Sequence, residues 1–504
     1  MPNISKEKFM NMILMLLFIV VVCVVAYKAK GEDYFLTTTN SNFSLGLSYG
    51  ATLVSTSALI GFGGLAGWIG FSIPITLLIP QGILIYLGTI YIGPKVWKAN
   101  QRIGAKTYIE LIGKYYNSPT LSKLLAIITI GLIPFYCVAV LIGVGKFIST
   151  FTDINFTVAV VGFSFIVFAT IAYGGMKSVV RNDMVQGLIV IAGSLIVLGI
   201  TVFSHMQVPD FWNNLVGAWT AVPAEDGLYK LGFTGFDSWP EFWSRGWLMI
   251  TTLLVFTIPF GLVTLPQLQT RWMLAKNAES FPSIARWGVV IPTLAILSFM
   301  IAAISANSYT FATEGVTVMQ AAGGTANIVP YWIKTGFPAW VSSALFLTVL
   351  AAAFTTLNSL MHLLSTTISN DIIRTEKPKL TVAYGSMLLV IILALYMTVA
   401  FNGQAAIIAR ATALYFGVIG AAMLPNVIGM ARGLTNGTNA LISFLGGAVT
   451  SIMWILFVHF KESKLFTGIT YDLGVYNFVE PIVPGLIVSS LLLLVLSYAR
   501  NKAN

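Results

Sequence analysis

The run FMNMILMLLFIVVVCVVAY, residues 9–27, is the first of a long series of apolar stretches of similar length. A stretch of about 20 apolar residues spans the hydrocarbon core of a bilayer. It must do so as a helix, because no water is present there to satisfy backbone donors and acceptors. Thirteen candidate spans can be marked along the 504 residues, most of them joined by short loops. Only 9% of the residues are charged and 57% are hydrophobic, whereas a soluble chain carries about 25% charged residues. The expected fold is an all-α polytopic membrane protein with about thirteen transmembrane helices. The first run lacks a small-residue cleavage site and reads as a retained span, not a signal peptide.

The net charge of +10 is spread over many loops, which suits topology signals and not a nucleic-acid patch. With the N-terminus outside, 19 of the 28 Lys and Arg residues fall in inner loops, Arg271 counted among them with Lys276 and Arg286. The opposite orientation inverts the ratio. An outer N-terminus and a cytoplasmic C-terminus are expected, with segment 205–245 outside; it carries Asp210, Glu225, Asp226, Asp237 and Glu241 against Lys230 and Arg245. Short termini suggest a prokaryotic plasma membrane. Cys23 and Cys137 lie in apolar runs, without disulfide or zinc spacing. His205, His362 and His459 are scattered, with no metal or nucleophile constellation, which argues against an enzyme. His362 reads as a packed or cavity-edge residue.

Two spans look interrupted. Residues 44–67, SLGLSYGATLVSTSALIGFGGLAG, hold six glycines among Ser and Thr, and residues 253–273, LLVFTIPFGLVTLPQLQTRWM, hold Pro259, Gly261 and Pro266. Each Pro removes a backbone donor and clashes with the preceding turn. Interrupted helices at matching places, here five spans apart, point to an inverted-repeat secondary transporter. The expected division is an extra helix and inner loop (1–43), a first repeat (44–204), an outer loop (205–245), a second repeat (246–430) and two further helices (431–504). The stretch AAAFTTLNSL, 351–360, puts Thr355, Thr356, Asn358 and Ser359 at the centre of the eighth core helix. Such residues often bond back to their own helix or act as packing residues between helices.

Several stretches, in this order and spacing, resemble the sodium/solute symporter family, especially its sodium/proline-type branch. They are IPFYC (133–137), YGGMKSVVRNDMVQGLIVIAG (173–193), LPQLQTRWMLAK (265–276), AAAFTTLNSLMHLLSTTISNDI (351–372) and GAAMLP (420–425), within a resemblance running from about residue 34 to about residue 430. It implies the five-plus-five inverted-repeat fold of the amino-acid transporter superfamily, with broken first and sixth core helices. It also implies coupling of inward sodium flow to uptake of a small solute.

By the same resemblance, Na+ takes the carbonyls of Ala51, Val54 and Ala352 and the hydroxyls of Thr355 and Thr356; a hard cation wants such oxygen ligands. A second sodium would use Asp183, Asn358 and Ser359, with Asn358 departing from the expected hydroxyl. Asp183 alternatively caps the N-terminus of its helix. The solute would meet Leu53, Ser57, Tyr136, Phe260, Thr264 and Gln267. Leu53, Ser57 and Gln267 replace the Asp, Trp and His of the proline-type branch, which counts against proline. The lack of a polar cluster counts against a sugar. A small amphiphilic organic acid or an amino acid is expected. Two alternatives stay open: a proton-coupled or exchange transporter of the same fold with Asp183 carrying the proton, and, more remotely, a membrane sensor.

Overall fold

In the computed structural model the chain is helical, and the described residues are 6–29, 34–36, 41–223, 227–373, 380–400 and 406–503, with no β-strand among them. Lys30, Glu225, Asp226, Arg374, Lys377 and Lys379, all used in the loop-charge reading, lie outside those residues. The helices that frame the site and the bundle are α1 (Lys6–Tyr27), α2 (Asn42–Thr52), α3 (Gly63–Ile69), α4 (Ser72–Leu87), α5 (Pro119–Thr152), α6 (Phe156–Phe203), α7 (Ile258–Thr264), α8 (Pro266–Met273), α9 (Phe281–Glu314), α10 (Ala339–Thr366), α11 (Leu380–Ala400), α12 (Ala406–Ala431), α13 (Gly437–Phe457) and α14 (Ile482–Ala503). Among the described residues eleven helices are long and apolar enough to cross a membrane, or up to twelve with one bent pair.

That count differs from thirteen because the fifth and sixth expected spans are counted once, as two helices joined at a kink within α6. Its 48 residues would reach about 72 Å as a straight helix, more than twice the ~30 Å of a hydrocarbon core. The ladder is broken at Gly175, with φ 54° and ψ −150°, a backbone state that excludes most side chains. A Cβ at Gly175 would also lie 2.8 Å from Tyr34 Cα. Glycine is required there twice over.

The first break lies elsewhere than the glycines suggest. Helix α2 stops at Thr52, and the chain resumes as a π turn at Ser57–Phe62 that runs into α3; the two arms are bent by 51°. No glycine occupies the gap. Ser55 caps the resumed helix, its Oγ accepting from Ala58 N at 3.1 Å, which is what a helix start asks of a serine. The glycines serve close packing instead. A Cβ on Gly50 would meet Trp287 O at 2.4 Å, and one on Gly64 would meet Thr325 O at 2.1 Å.

The second break falls between α7 and α8. Pro266 sits in the first turn of α8, where a missing donor costs nothing, whereas Pro259 lies within the continuous helix Arg245–Thr264, just after the π turn Thr252–Thr257. Leu265 between them is extended, with φ −64° and ψ 125°, as expected before a proline. The carbonyl of Val263, freed by the break, accepts from Gln269 Nε2.

Helix α10 is the spine of the molecule. It packs along α6 and also meets α5 and α1, and every residue from 345 to 366 except Leu347 is buried. Helix α2 lies against α9 and α6, and α12 against α5 and α7, while α13 and α14 pack on α12. The break in α2 therefore faces the middle of α10.

Candidate functional site

The end of α2 and the centre of α10 meet through oxygen atoms. Thr355 Oγ1 lies 3.2 Å from Ala51 O, 3.4 Å from Val54 O and 3.1 Å from Ala352 O on its own helix. Thr356 Oγ1 lies 3.1 Å from Val54 O. All five residues are buried. Ala51 O also accepts from Val54 N at 3.0 Å, and the single proton of Thr355 Oγ1 faces three carbonyls and satisfies one at a time. The separations also exceed the ~2.7–2.8 Å usual for a hydroxyl hydrogen bond. An uncharged nest of this kind suits a small hard cation, which binds oxygen dipoles and needs no carboxylate when it is monovalent. Adjacent positions on a helix diverge by about 100°, and both hydroxyls still reach the break because Val54 O lies between them.

A second cluster lies beside it and joins α2 and α10 to α6 and α8. Asp183 of α6 is completely buried, and its Oδ2 accepts from Ser48 Oγ at 3.0 Å, Thr52 Oγ1 at 3.2 Å and Arg271 Nη2 at 2.8 Å. The same Nη2 donates to Ser359 Oγ at 2.7 Å, and Nη1 donates to Gln267 O at 2.8 Å. Two expectations are corrected here. Arg271 is not a loop charge; it is 2% exposed inside α8. Asp183 does not cap a helix start, since it lies about two turns inside the second arm of α6 and its partners are side chains. Asn358 is fully buried, and neither atom of its amide has a hydrogen-bond partner.

The residues expected to meet a solute are only partly brought together. Tyr136 stacks on Tyr415 at 5.6 Å and stands edge-on to Phe416 at 5.4 Å. Ser55 Oγ and Ser57 Oγ are 2.6 Å apart. Tyr415 donates to Gln267 Oε1 at 2.8 Å. Leu53 is buried at the break itself. Thr264 instead bonds back to Gly261 O at 2.9 Å, and the ring of half-buried Phe260 lies edge-on to Phe256 on its own helix turn. His362 is a packed residue, buried with its Nε2 2.8 Å from Tyr34 O.

Sequence reasoning passed over Ser48, Thr52, Tyr415, Phe416 and the role of Arg271. For Ser48 and Thr52 a signal existed: two hydroxyls four apart on one helix share a face. Arg271 and Asp183 could have been paired by asking where two charges inside spans find partners.

The C-terminal end of α10 is tethered as well. Asp371 Oδ1 accepts from Thr107 Oγ1 at 2.7 Å. Glu110, on the short helix Tyr108–Tyr115, accepts from Lys106 N at 2.8 Å and Asn370 Nδ2 at 3.1 Å and pairs with Lys114 at 2.6 Å. Burial pushes the Glu110 carboxyl up, but the Lys114, Lys106 and Asn370 contacts outweigh it and hold the group below its ordinary value.

Comparison with known proteins places these features in context. A family model described as "Sodium:solute symporter family" matches residues 34–447. The chain is 24% identical over 443 residues to an uncharacterized symporter, YwcA, of Bacillus subtilis, covering 83% of this chain and 81% of that protein. It is 23% identical over 461 residues to a sodium/pantothenate symporter of Haemophilus influenzae, covering 88% and 89%. Among solved structures, a Na+-coupled sialic acid symporter superposes with a TM-score of 0.72 at 14% identity, covering 97% of this chain and 98% of that one. MhsT in complex with L-phenylalanine gives 0.53 at 12% identity, covering 92% and 99%.

Proposed function

The chain belongs to the sodium:solute symporter family, and from that premise we propose that it imports a small organic acid or amino acid by alternating access, with sodium bound by Ala51, Val54, Ala352, Thr355 and Thr356. Sodium is the coupling ion. The observation that carries the site is the convergence of five buried oxygens, three of them backbone carbonyls, where the break in α2 faces Thr355 and Thr356. An ion there ties α2 to α10, and coupling follows if it binds the solute-competent state better than the others. One charge entering down 100 mV releases about 2.3 kcal/mol, enough for roughly 40-fold accumulation of a neutral solute.

The solute is proposed to sit against Tyr136, Ser57, Leu53 and Gln267, with Tyr415 and Phe416 added to the expected lining. These groups offer aromatic faces, hydroxyls and one amide, and no charge of their own. They suit a compact amphiphile whose polar end is satisfied by hydroxyls and by backbone at the broken helices. One similar protein is named for pantothenate and another for sialic acid; both names support an organic acid. The proton-coupled alternative would need Asp183, which is already committed to Arg271. We also propose the two-repeat division at 44–204 and 246–430, with segment 205–245 and the N-terminus outside a plasma membrane.

The test is uptake of labelled solutes into proteoliposomes with and without an inward sodium gradient, at fixed voltage. Pantothenate, short monocarboxylates and amino acids head the panel. Accumulation of at least one of them only with the sodium gradient is expected. Equal accumulation with a proton gradient alone contradicts the reading.

A further inference from the structure

We propose that the guanidinium of Arg271 permanently occupies the second cation position, so that this protein binds one sodium ion per chain. The inference rests on the sodium-coupled reading above. The three residues expected to hold a second sodium are Asp183, Asn358 and Ser359. Two of them are taken by a single atom: Arg271 Nη2 stands 2.8 Å from Asp183 Oδ2 and 2.7 Å from Ser359 Oγ. The carboxylate oxygen facing that atom also lies within reach of the Ser48 and Thr52 hydroxyls, although Thr52 has its single proton nearer Ser48 O, at 2.7 Å. Arg271 and Ser48 alone fill its two lone pairs, and a metal ion arriving on it would have to displace one of them. The other oxygen, Oδ1, is buried without a hydrogen-bond partner, so what keeps an ion from it is the charge of the guanidinium.

Charge points the same way. Asp183 is 0% and Arg271 2% exposed, so the pair is neutral within a space closed to water. An added sodium would stand one carboxylate away from a buried guanidinium, where like charges repel far more than in water. The anchoring of Arg271 is equally specific. Its Nη1 donates to Gln267 O at 2.8 Å, one turn back on α8, directly after the break at Leu265. The cation is thus covalently attached to one arm of a broken helix while it pairs with α6 and α10. A sodium ion in this place would dissociate with each cycle and add its gradient to the driving force. A tethered guanidinium returns with its helix and adds nothing. It contributes the helix-bridging contacts of a second ion without its stoichiometry.

The test is equilibrium binding of radioactive 22Na+ to the purified full chain in lipid nanodiscs, counted per chain. One ion is expected, retained in Asp183→Asn and lost in Thr355→Ala. Two ions in the unaltered protein would overturn this inference and leave the sodium reading standing. No bound sodium would remove the sodium reading itself, and this inference with it. In Arg271→Gln the vacated position is expected to admit sodium, giving two ions per chain, the second of which disappears again when Asp183→Asn is added. A monodisperse Arg271→Gln protein that still binds one ion would show that the guanidinium is not what keeps the second ion out. Should that variant fail to fold, the ion count of the unaltered protein and its dependence on Thr355 against Asp183 still decide.

Discussion

Two clusters a single turn apart on α10 handle the same problem in opposite ways. Around Thr355 and Thr356, five neutral oxygens converge with no charge among them. Around Ser359, full charges of both signs neutralise each other, with Arg271 bonded to Asp183 and to the hydroxyl. In the function proposed here a cation completes the first cluster. The second holds its cation within the chain. Position on a helix therefore does not assign an ion; the balance of donors, acceptors and charge around it does.

Breaking the charged cluster should have the largest effect. Removing one partner of a buried ion pair costs about 3–5 kcal/mol because the other charge is left without compensation. Arg271→Gln and Asp183→Asn are each expected to lower the thermal unfolding midpoint of the detergent-purified protein, and the double variant to recover more than half of the loss. Single-variant losses below about 1 kcal/mol, the value of an exposed pair, would remove the contrast between the clusters. Added sodium should raise the midpoint of Arg271→Gln more than that of the unaltered protein, since a ligand stabilises only the state that binds it.

The neutral cluster responds to smaller changes. Thr356→Val keeps the shape and removes one oxygen; a lost buried polar contact of about 1–1.5 kcal/mol corresponds to roughly tenfold weaker sodium binding. An isotherm of sodium-dependent uptake measures it. Smaller still is Tyr415→Phe, which deletes the bond to Gln267 Oε1. A net hydrogen bond of about 0.5–1.5 kcal/mol predicts a severalfold rise in the solute KM with unchanged sodium dependence. A shift in sodium dependence instead would place Tyr415 in the ion site.

The smallest effect concerns Glu110. Its carboxyl titrates below its ordinary value in the folded protein. Its contribution is therefore full above the unfolded value, about 4.3, and is lost as pH falls through the lower folded value. Glu110→Gln should flatten the acid limb of the unfolding profile and leave stability near pH 7 within a few tenths of a kcal/mol.

The Thr pair and the existence of two breaks were legible in the sequence, because hydroxyls and prolines stand out against apolar runs. The reason for the first break was not. Six glycines drew attention in span 44–67, yet the gap at Leu53–Ser55 contains none, and Gly50 and Gly64 answer to neighbours at Trp287 and Thr325. Those neighbours are 237 and 261 residues away along the chain, so no local pattern reports them. Arg271 was hidden for a related reason. Counting Lys and Arg by loop treats a cation near a span end as a topology signal, whereas its burial depends on Asp183, 88 residues earlier. Tyr415 carries no signal of its own, since aromatic residues are common in membrane helices. Only its stacking on Tyr136 and its bond to Gln267 set it apart.

The central claim is that the break in α2 and the Thr pair of α10 form the sodium site. Its most direct test is the sodium concentration for half-maximal solute uptake into proteoliposomes, compared between Thr355→Ala and Thr355→Ser. The account predicts at least about a tenfold increase for the alanine variant and a value within about threefold of the unaltered protein for the serine variant, which keeps the oxygen. A Thr355→Ala protein that takes up solute with unchanged sodium dependence would contradict it.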